Sequence, residues 1–378
     1  METNNVYTRN DGFIDNNGHH VVITTAARYA YDYLMPNEEI ICDHHWDYVV
    51  VDEASMIDIV TMAFILFKSQ DCQFIISGDP KQIQPVRQNE VQPENIYQMV
   101  GLNSFAAAQK NSNVECLNTQ YRSIPTIGDL VSKFSYNGIV KPYRTLSSQK
   151  PLDLGFKISS INFVGFKTEL FDNLYGLDAI DGSAFHLYSA IFSYEYASYI
   201  ARKIKESNPS EPYSIGIVCP YKKQADSIKQ MIEMRDISND SCKVYCGTVH
   251  SFQGDECDIM IIILNPPINV GLHSHVNNQN IINVAVSRAK DYIFFLVPDC
   301  RTQGFPTREV LGKMSGDNKN VLFCNKIEKV MFGQEDYILQ HTNVSCHMPV
   351  NVYYEPSALY EVKKDDHAVD IQINDEFR

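Results

Sequence analysis

The sequence predicts an α/β fold with parallel sheets in two units. Three early observations carry this. Val21–Ile23, Tyr48–Val51 and Phe74–Ile76 are short apolar runs rich in β-branched or aromatic residues. Each run stops at small or acidic residues: Thr24-Thr25, Asp52-Glu53 and Ser77-Gly78-Asp79-Pro80. A buried parallel strand has this pattern, because both of its faces are covered and its polar site lies at the carboxyl end. Between the second and third runs, Ala54 to Lys68 has apolar residues at helical spacing (Met56, Ile59, Val60, Ala63, Phe64, Phe67). Strand–helix–strand alternation implies right-handed crossovers.

The second unit repeats the pattern. Strands are expected at Glu115–Leu117, Phe185–Tyr188, Ser214–Cys219, Val244–Tyr245, Ile259–Leu264 and Tyr292–Val297. Helices are expected over Thr126–Phe134, Tyr194–Glu206, Lys222–Glu233 and Ile281–Lys290. Gln, Asn, Pro and Glu cluster at NEVQPENIYQ, so the expected division is 1–105, 106–300 and a less regular appendage, 301–378. In that appendage Val350–Tyr354 and Tyr360–Ile373 suggest short strands turning at Asp365-Asp366.

Length and charge narrow the function. The 378 residues carry 32 Lys+Arg against 46 Asp+Glu, a formal net charge of −14. That excludes a histone-like coat on nucleic acid, though not a local basic groove. Charged residues make up 21% and hydrophobic ones 44%, an ordinary globular balance. No apolar run approaches the roughly 20 residues of a membrane helix, so no membrane partner is expected. The opening METNNVYTRNDGF has no signal-peptide pattern. Ten scattered cysteines fit reduced thiols and a cytoplasmic setting. Cys42, His44 and His45 cluster, as do Cys346 and His347, but neither group has a four-ligand zinc spacing.

Several segments carry chemistry. Asp52-Glu53 follows VVV directly. A carboxylate pair there serves either a nucleotide-hydrolysing site, with Asp52 on Mg²⁺ and Glu53 taking a proton from water, or a helix start. Gly78 to Val86 (GDPKQIQPV) is a stiff loop in which Gln82 either senses a terminal phosphate or lies in a surface turn. Gln120-Tyr121-Arg122 and Arg288 supply arginines, which are surface cations or neutralise charge on a transferring phosphoryl group. TVHSFQGDE (248–256) combines hydroxyls, an aromatic, a Gly turn and acids.

Taken in order, VVVDEAS (49–55), GDPKQIQPV (78–86), QYRS (120–123), CPYKKQ (219–224), TVHSFQGDE (248–256) and NVAVSRAK (283–290) resemble the superfamily 1 helicases. The branch is that of the nonsense-mediated decay helicase and its bacterial relatives, and the resemblance covers roughly residues 20–300. It implies two RecA-like domains of P-loop NTPase type with ATP and Mg²⁺ in the cleft between them. By resemblance Asp52 holds Mg²⁺, Glu53 activates water, and Gln82, in the loop opened by Gly78 and Asp79, couples the γ-phosphate to nucleic acid. Arg122 and Arg288 match the arginines that reach the phosphates. Gly254 and Glu256 match nucleotide-site residues, with Glu256 near the ribose. Thr24, Thr25, Pro220, Tyr221, Thr248 and His250 fall in segments that line a single strand of DNA or RNA. Lys222 and Lys223 either contact its phosphates or form a solvated helix start.

The sequence departs from the family in one respect: no G-x-x-x-x-G-K-[ST] occurs. Gly312-Lys313-Met314 has no Gly-rich loop before it. That loop supplies backbone N–H groups and a lysine for the phosphates. The expectation is therefore a first domain truncated at its N-terminus, with an exposed apolar edge or face and poor turnover by this chain alone. Three readings follow: the C-terminal portion of an ATP-dependent helicase, a non-catalytic nucleic-acid-binding or regulatory module, or a subunit that borrows a P-loop from a partner polypeptide.

Overall fold

The computed structural model describes residues 21–33, 40–85, 95–166, 178–180, 183–252, 255–264, 278–298, 320–344, 351–354, 360–365 and 368–373. The chain divides into two compact units, Met1–Cys116 and Leu117–Arg378.

In the first unit, β1 (Tyr48–Val51) and β2 (Gln73–Ile76) pair in parallel, Val49 opposite Phe74 and Val51 opposite Ile76. Helix α1 (Ile59–Lys68) links them. It starts later than the expected Ala54, because the Asp58 side chain accepts from the N–H groups of Val60 and Thr61 and caps it there. Residues Ala54–Met56 form a separate 3₁₀ turn. Short helices α2 (Ile96–Met99) and α3 (Phe105–Ala108) follow. Met62 and Ile65 of α1 pack with Val51, Ala54, Ile41 and Ile96. On the other face of the sheet Tyr48 is 60% exposed, Val50 64% and Ile75 54%. The expected strand at Val21–Ile23 does not form. It pairs with neither β1 nor β2, Val21 and Ile23 are almost fully exposed, and the chain turns at Thr25–Asp32.

The second unit is built on six parallel strands in the order β12-β5-β11-β10-β8-β9. Their ranges are β5 (Ile161–Phe166), β8 (Tyr213–Cys219), β9 (Cys242–Thr248), β10 (Cys257–Ile263), β11 (Ala289–Pro298) and β12 (Asn320–Phe323). A short pair, β3 (Thr119–Gln120) and β4 (Lys141–Pro142), precedes them. Glu115–Leu117 is not a strand; Leu117 is exposed and pairing starts at Thr119. Another pair, β6 (Asp178–Ile180) and β7 (Ser183–Phe185), precedes the long helix.

The helices are α4 (Pro125–Ser135), α5 (Leu187–Ser207), α6 (Lys222–Met234), α7 (Gln279–Ser287), α8 (Cys324–Phe332) and α9 (Tyr337–His341). Strand β7 ends at Phe185, and α5 begins well before the expected Tyr194. The His186 ring caps it by accepting from the Ser189 N–H, which turns Leu187-Tyr188 into helix. Phe192, Tyr194, Tyr196 and Ile200 of α5 pack with Ile215, Ile217, Ile259, Ile261 and Phe294 in one core. Past β12, strands β13 (Thr342–Val344), β14 (Asn351–Tyr354), β15 (Tyr360–Asp365) and β16 (Ala368–Ile373) form an antiparallel meander. Among the described residues no helix is long and apolar enough to cross a membrane.

Two outcomes follow. Ile261 is 1% exposed at the centre of the sheet. Ile261→Ala should destabilise the second unit by about 2–5 kcal/mol, read from chemical denaturation. Glu328 of α8 is fully buried, accepting from the Tyr188 hydroxyl at 2.5 Å and from the Ile338 N–H at 2.9 Å. Burial pushes its carboxyl from 4.5 up to about 7, against the hydrogen bonds that favour the charged form. Between those values the fold holds a proton that the unfolded chain has lost. Stability from this group is therefore full below pH 4.5 and falls as pH rises to about 7. Glu328→Gln should flatten the pH–stability curve in that window by up to roughly 3 kcal/mol.

Candidate nucleotide and strand sites

In the first unit β1 ends in the acid pair. Asp52 Oδ1 accepts from the Ser77 hydroxyl at 2.5 Å and from the Glu53 N–H at 2.9 Å. Glu53 has φ 50° and ψ 39°, in the left-handed region that costs a residue bearing a Cβ roughly 1 kcal/mol or more. The ladder holds it there: Ser77 N–H donates to Val51 O, and Ala54 N–H donates to Ser77 O. Gly78 lies against this turn, and a Cβ on it would sit 2.9 Å from Ala54 N and 3.0 Å from the Tyr97 hydroxyl. Asp79 folds the next turn by accepting from Lys81 N–H, and Gln82 Nε2 donates to its other oxygen at 3.3 Å.

Tyr97 and Asn95 were not anticipated. Burial first, and then the charges of Asp79, Glu53 and Asp52, raise the Tyr97 hydroxyl to about 12. It stays protonated beside the acids at neutral pH. Asn95 is fully buried and donates to Ser55 O, which pins α2 beneath the turn. No local pattern marks either residue, since they reach the site from about 40 positions along the chain. The oxygen-rich set of Asp52, Glu53 and Ser77 suits a hard cation such as Mg²⁺. Among the described residues no group of three His, Cys, Asp or Glu can hold a metal by itself. Water and phosphate oxygens would complete the shell, as Mg²⁺ sites commonly require.

In the second unit Arg122 Nε donates to Glu256 Oε2 at 2.7 Å, and Arg122 Nη1 to Ser287 O at 2.8 Å. Lys290 Nζ lies 2.6 Å from Glu256 Oε1. Partial burial raises the Glu256 carboxyl, but Lys290 and Arg122 outweigh it and hold the group below its usual range. All three side chains remain between 30% and 41% exposed, so each pair contributes roughly 0–1 kcal/mol. The backbone beneath is firmer. Ser123 Oγ donates to Ala289 O, Ile124 N–H to Lys290 O, and Arg144 Nη1 to Arg122 O at 2.8 Å. Arg144 is itself held by the buried Asp291 at 2.7 Å. Lys290 and Arg144 are further residues of the cluster beyond those singled out in the sequence. Arg288 is placed differently: it is 4% exposed, and its Nε donates to Val284 O.

The remaining residues are dispersed. Pro220 and Thr248 lie at the carboxyl ends of β8 and β9, whereas Glu256 and Lys290 lie at the amino ends of β10 and β11. Seven-residue strands separate these edges by roughly 20 Å. At the carboxyl edge Tyr221 is half-buried and burial raises its hydroxyl. Thr248 Oγ1 accepts from Ser251 N–H, and burial lowers the His250 imidazole. In the first unit Thr24 donates to Asp32, which also binds Arg28, and Thr25 O anchors the following turn. Trp46 packs with the first core and donates to Ile41 O. Gly254, Val86, Gly312, Lys313, Cys346 and His347 lie outside the described residues.

Comparison with known proteins adds the family. Residues 101–298 match the model of a family described as an AAA domain, just over half of the chain. The ATP-dependent helicase MG140 of Mycoplasma genitalium is 25% identical over 268 residues, which are 66% of this chain and 23% of that protein. A Danio rerio protein named as a helicase, mov-10-B.1, is 26% identical over 65% of this chain and 27% of its own length. The 5′-3′ DNA helicase ZGRF1 of Mus musculus is 23% identical over 78% and 14% respectively. The chain thus spans between 14% and 27% of the length of these relatives. Among solved structures, an arterivirus nonstructural protein 10 helicase in complex with DNA aligns over 69% of this chain and 41% of its own, with TM-score 0.32 and 15% identity. With its match over 101–298 and its helicase relatives, the chain belongs to this AAA domain family, on the superfamily 1 helicase branch that its six motifs resemble.

Proposed function

We propose that the chain forms part of an ATP-dependent superfamily 1 helicase that couples ATP hydrolysis to movement on single-stranded DNA or RNA. The observation that carries this is the acid pair at the end of β1, with Glu53 held in a left-handed turn against Ser77 and Gly78. Strain kept by the surrounding ladder at a carboxylate pair points to function.

In this reading Asp52 is the protein ligand of Mg²⁺, which when bound neutralises phosphate charge. Glu53 accepts the proton of the attacking water. Gln82, tied to Asp79, orients that water or senses the terminal phosphate. Arg122 supplies positive charge to the transferring phosphoryl group, a role worth roughly 10³–10⁵ in rate where such arginines act. Arg288, 4% exposed and donating to Val284 O, is better suited to a supporting role than to direct phosphate contact. Glu256 is the neighbour of the nucleotide in this unit. Pro220, Tyr221, Thr248 and His250 form the strand-facing edge, with Tyr221 and His250 available for stacking. Thr24 and Thr25 contact the strand from the first unit. The relative named as a 5′-3′ DNA helicase supports 5′-to-3′ movement, and the scattered cysteines support a reducing, cytoplasmic setting. Because the 378 residues contain no G-x-x-x-x-G-K-[ST], a polypeptide segment carrying that loop is the partner this reading requires.

Two measurements test the reading. ATP turnover by the 378-residue chain is expected to be slow and stimulated by single-stranded nucleic acid. Glu53→Gln should lower it by about 10²–10⁴-fold, the usual contribution of a general base. Turnover indifferent to Glu53→Gln would remove the acid pair from the chemistry. Strand binding should weaken steeply and linearly on a log–log plot against salt. Tyr221→Ala should weaken it further, by about 1–3 kcal/mol if a base stacks there. Salt-sensitive strand binding with no turnover under any condition would favour the non-catalytic binding module.

A further inference from the structure

Arg122 is fixed at one end and exchangeable at the other. Its carbonyl is held by Arg144 at 2.8 Å, and the next two residues are bonded to Ala289 O and Lys290 O. Its guanidinium, by contrast, grips an exposed carboxylate. Glu256 presents one oxygen to Arg122 and the other to Lys290, at 2.7 and 2.6 Å. Two cations on the two oxygens of one anion is how a phosphoryl group is also held, because carboxylate and phosphate offer the same charge-assisted acceptors.

We infer that Glu256 occupies the seat of a phosphoryl group, so that Arg122 and Lys290 form an anion site that the chain fills with its own carboxylate until a polyphosphate displaces it. The inference rests on the functional reading above for the identity of the anion, and it adds a regulatory element to that site. Exchange is inexpensive because the trio is partly exposed: solvent screens the pairs that break and hydrates the displaced Glu256 carboxylate. Ser287 O holds Nη1 of Arg122 at 2.8 Å and orients the guanidinium toward the seat.

Inorganic pyrophosphate separates this idea from turnover, since it needs neither hydrolysis nor a nucleic-acid strand. The experiment is calorimetric titration of pyrophosphate into the 378-residue chain, Glu256→Gln, the double variant Glu256→Gln/Arg122→Gln, and Asp255→Asn. Asp255 is exposed and its loss removes an equal charge next to the cluster. Glu256→Gln should bind pyrophosphate about ten-fold tighter than the parent, because the competitor is gone and both cations remain. The gain should vanish in the double variant, and Asp255→Asn should change affinity by less than about two-fold. No gain in Glu256→Gln, a gain that survives without Arg122, or an equal gain in Asp255→Asn would each overturn the inference. Circular dichroism melts confirm that each variant is folded. Loss of ATP turnover would not touch this result, and a failed pyrophosphate gain would leave the Glu53 chemistry standing.

Discussion

A parallel sheet has two chemically different ends, and that constraint organises the second unit. Six strands share one direction because their ladder bonds and crossovers require it. Every loop must then emerge at either the amino or the carboxyl edge. Cys219-Pro220 and Thr248 emerge at one, and Glu256 and Lys290 at the other. The segment from Thr248 to Glu256 connects the two edges. One continuous motif therefore contributes residues to both edges of the sheet. The core that keeps the edges apart is made by α5, whose Phe192, Tyr194 and Tyr196 are almost fully buried with Ile215, Ile259 and Phe294.

The first unit shows the opposite balance. Helix α1 packs on one face of its two paired strands, while Tyr48, Val50 and Ile75 are exposed on the other. Even so, the acid turn is tightly specified. A ladder hydrogen bond on each side of Ser77 fixes Glu53 in its left-handed conformation, and Gly78 leaves no room for a side chain beside Ala54. Site geometry here depends on a few backbone bonds and much less on bulk burial.

Much of the fold was legible because local signals agreed. Tyr48–Val51, Ser214–Cys219 and Ile259–Leu264 are apolar enough to have only one stable environment, and Lys222–Glu233 has both helical spacing and a Pro before it. Legibility failed where local pattern and tertiary partner diverged. Val21–Ile23 has a strand's composition, yet it pairs with neither strand of its unit and is exposed. Leu187-Tyr188 has strand-like residues, yet the His186 cap makes them helix. Glu115–Leu117 likewise gives way to pairing that starts at Thr119.

The sequence by itself determined the α/β class, the order of the motifs and the identity of the acids and arginines, because spacing along the chain carries that information. Tertiary structure alone decided which of those groups meet. Arg122 and Glu256 are 134 residues apart and in contact, while Arg288, two residues from Lys290, is turned into the core. Tyr97, Asn95, Lys290 and Arg144 join the sites through packing and backbone carbonyls. Those contacts arise when distant strands come into register, and no short stretch of sequence encodes them.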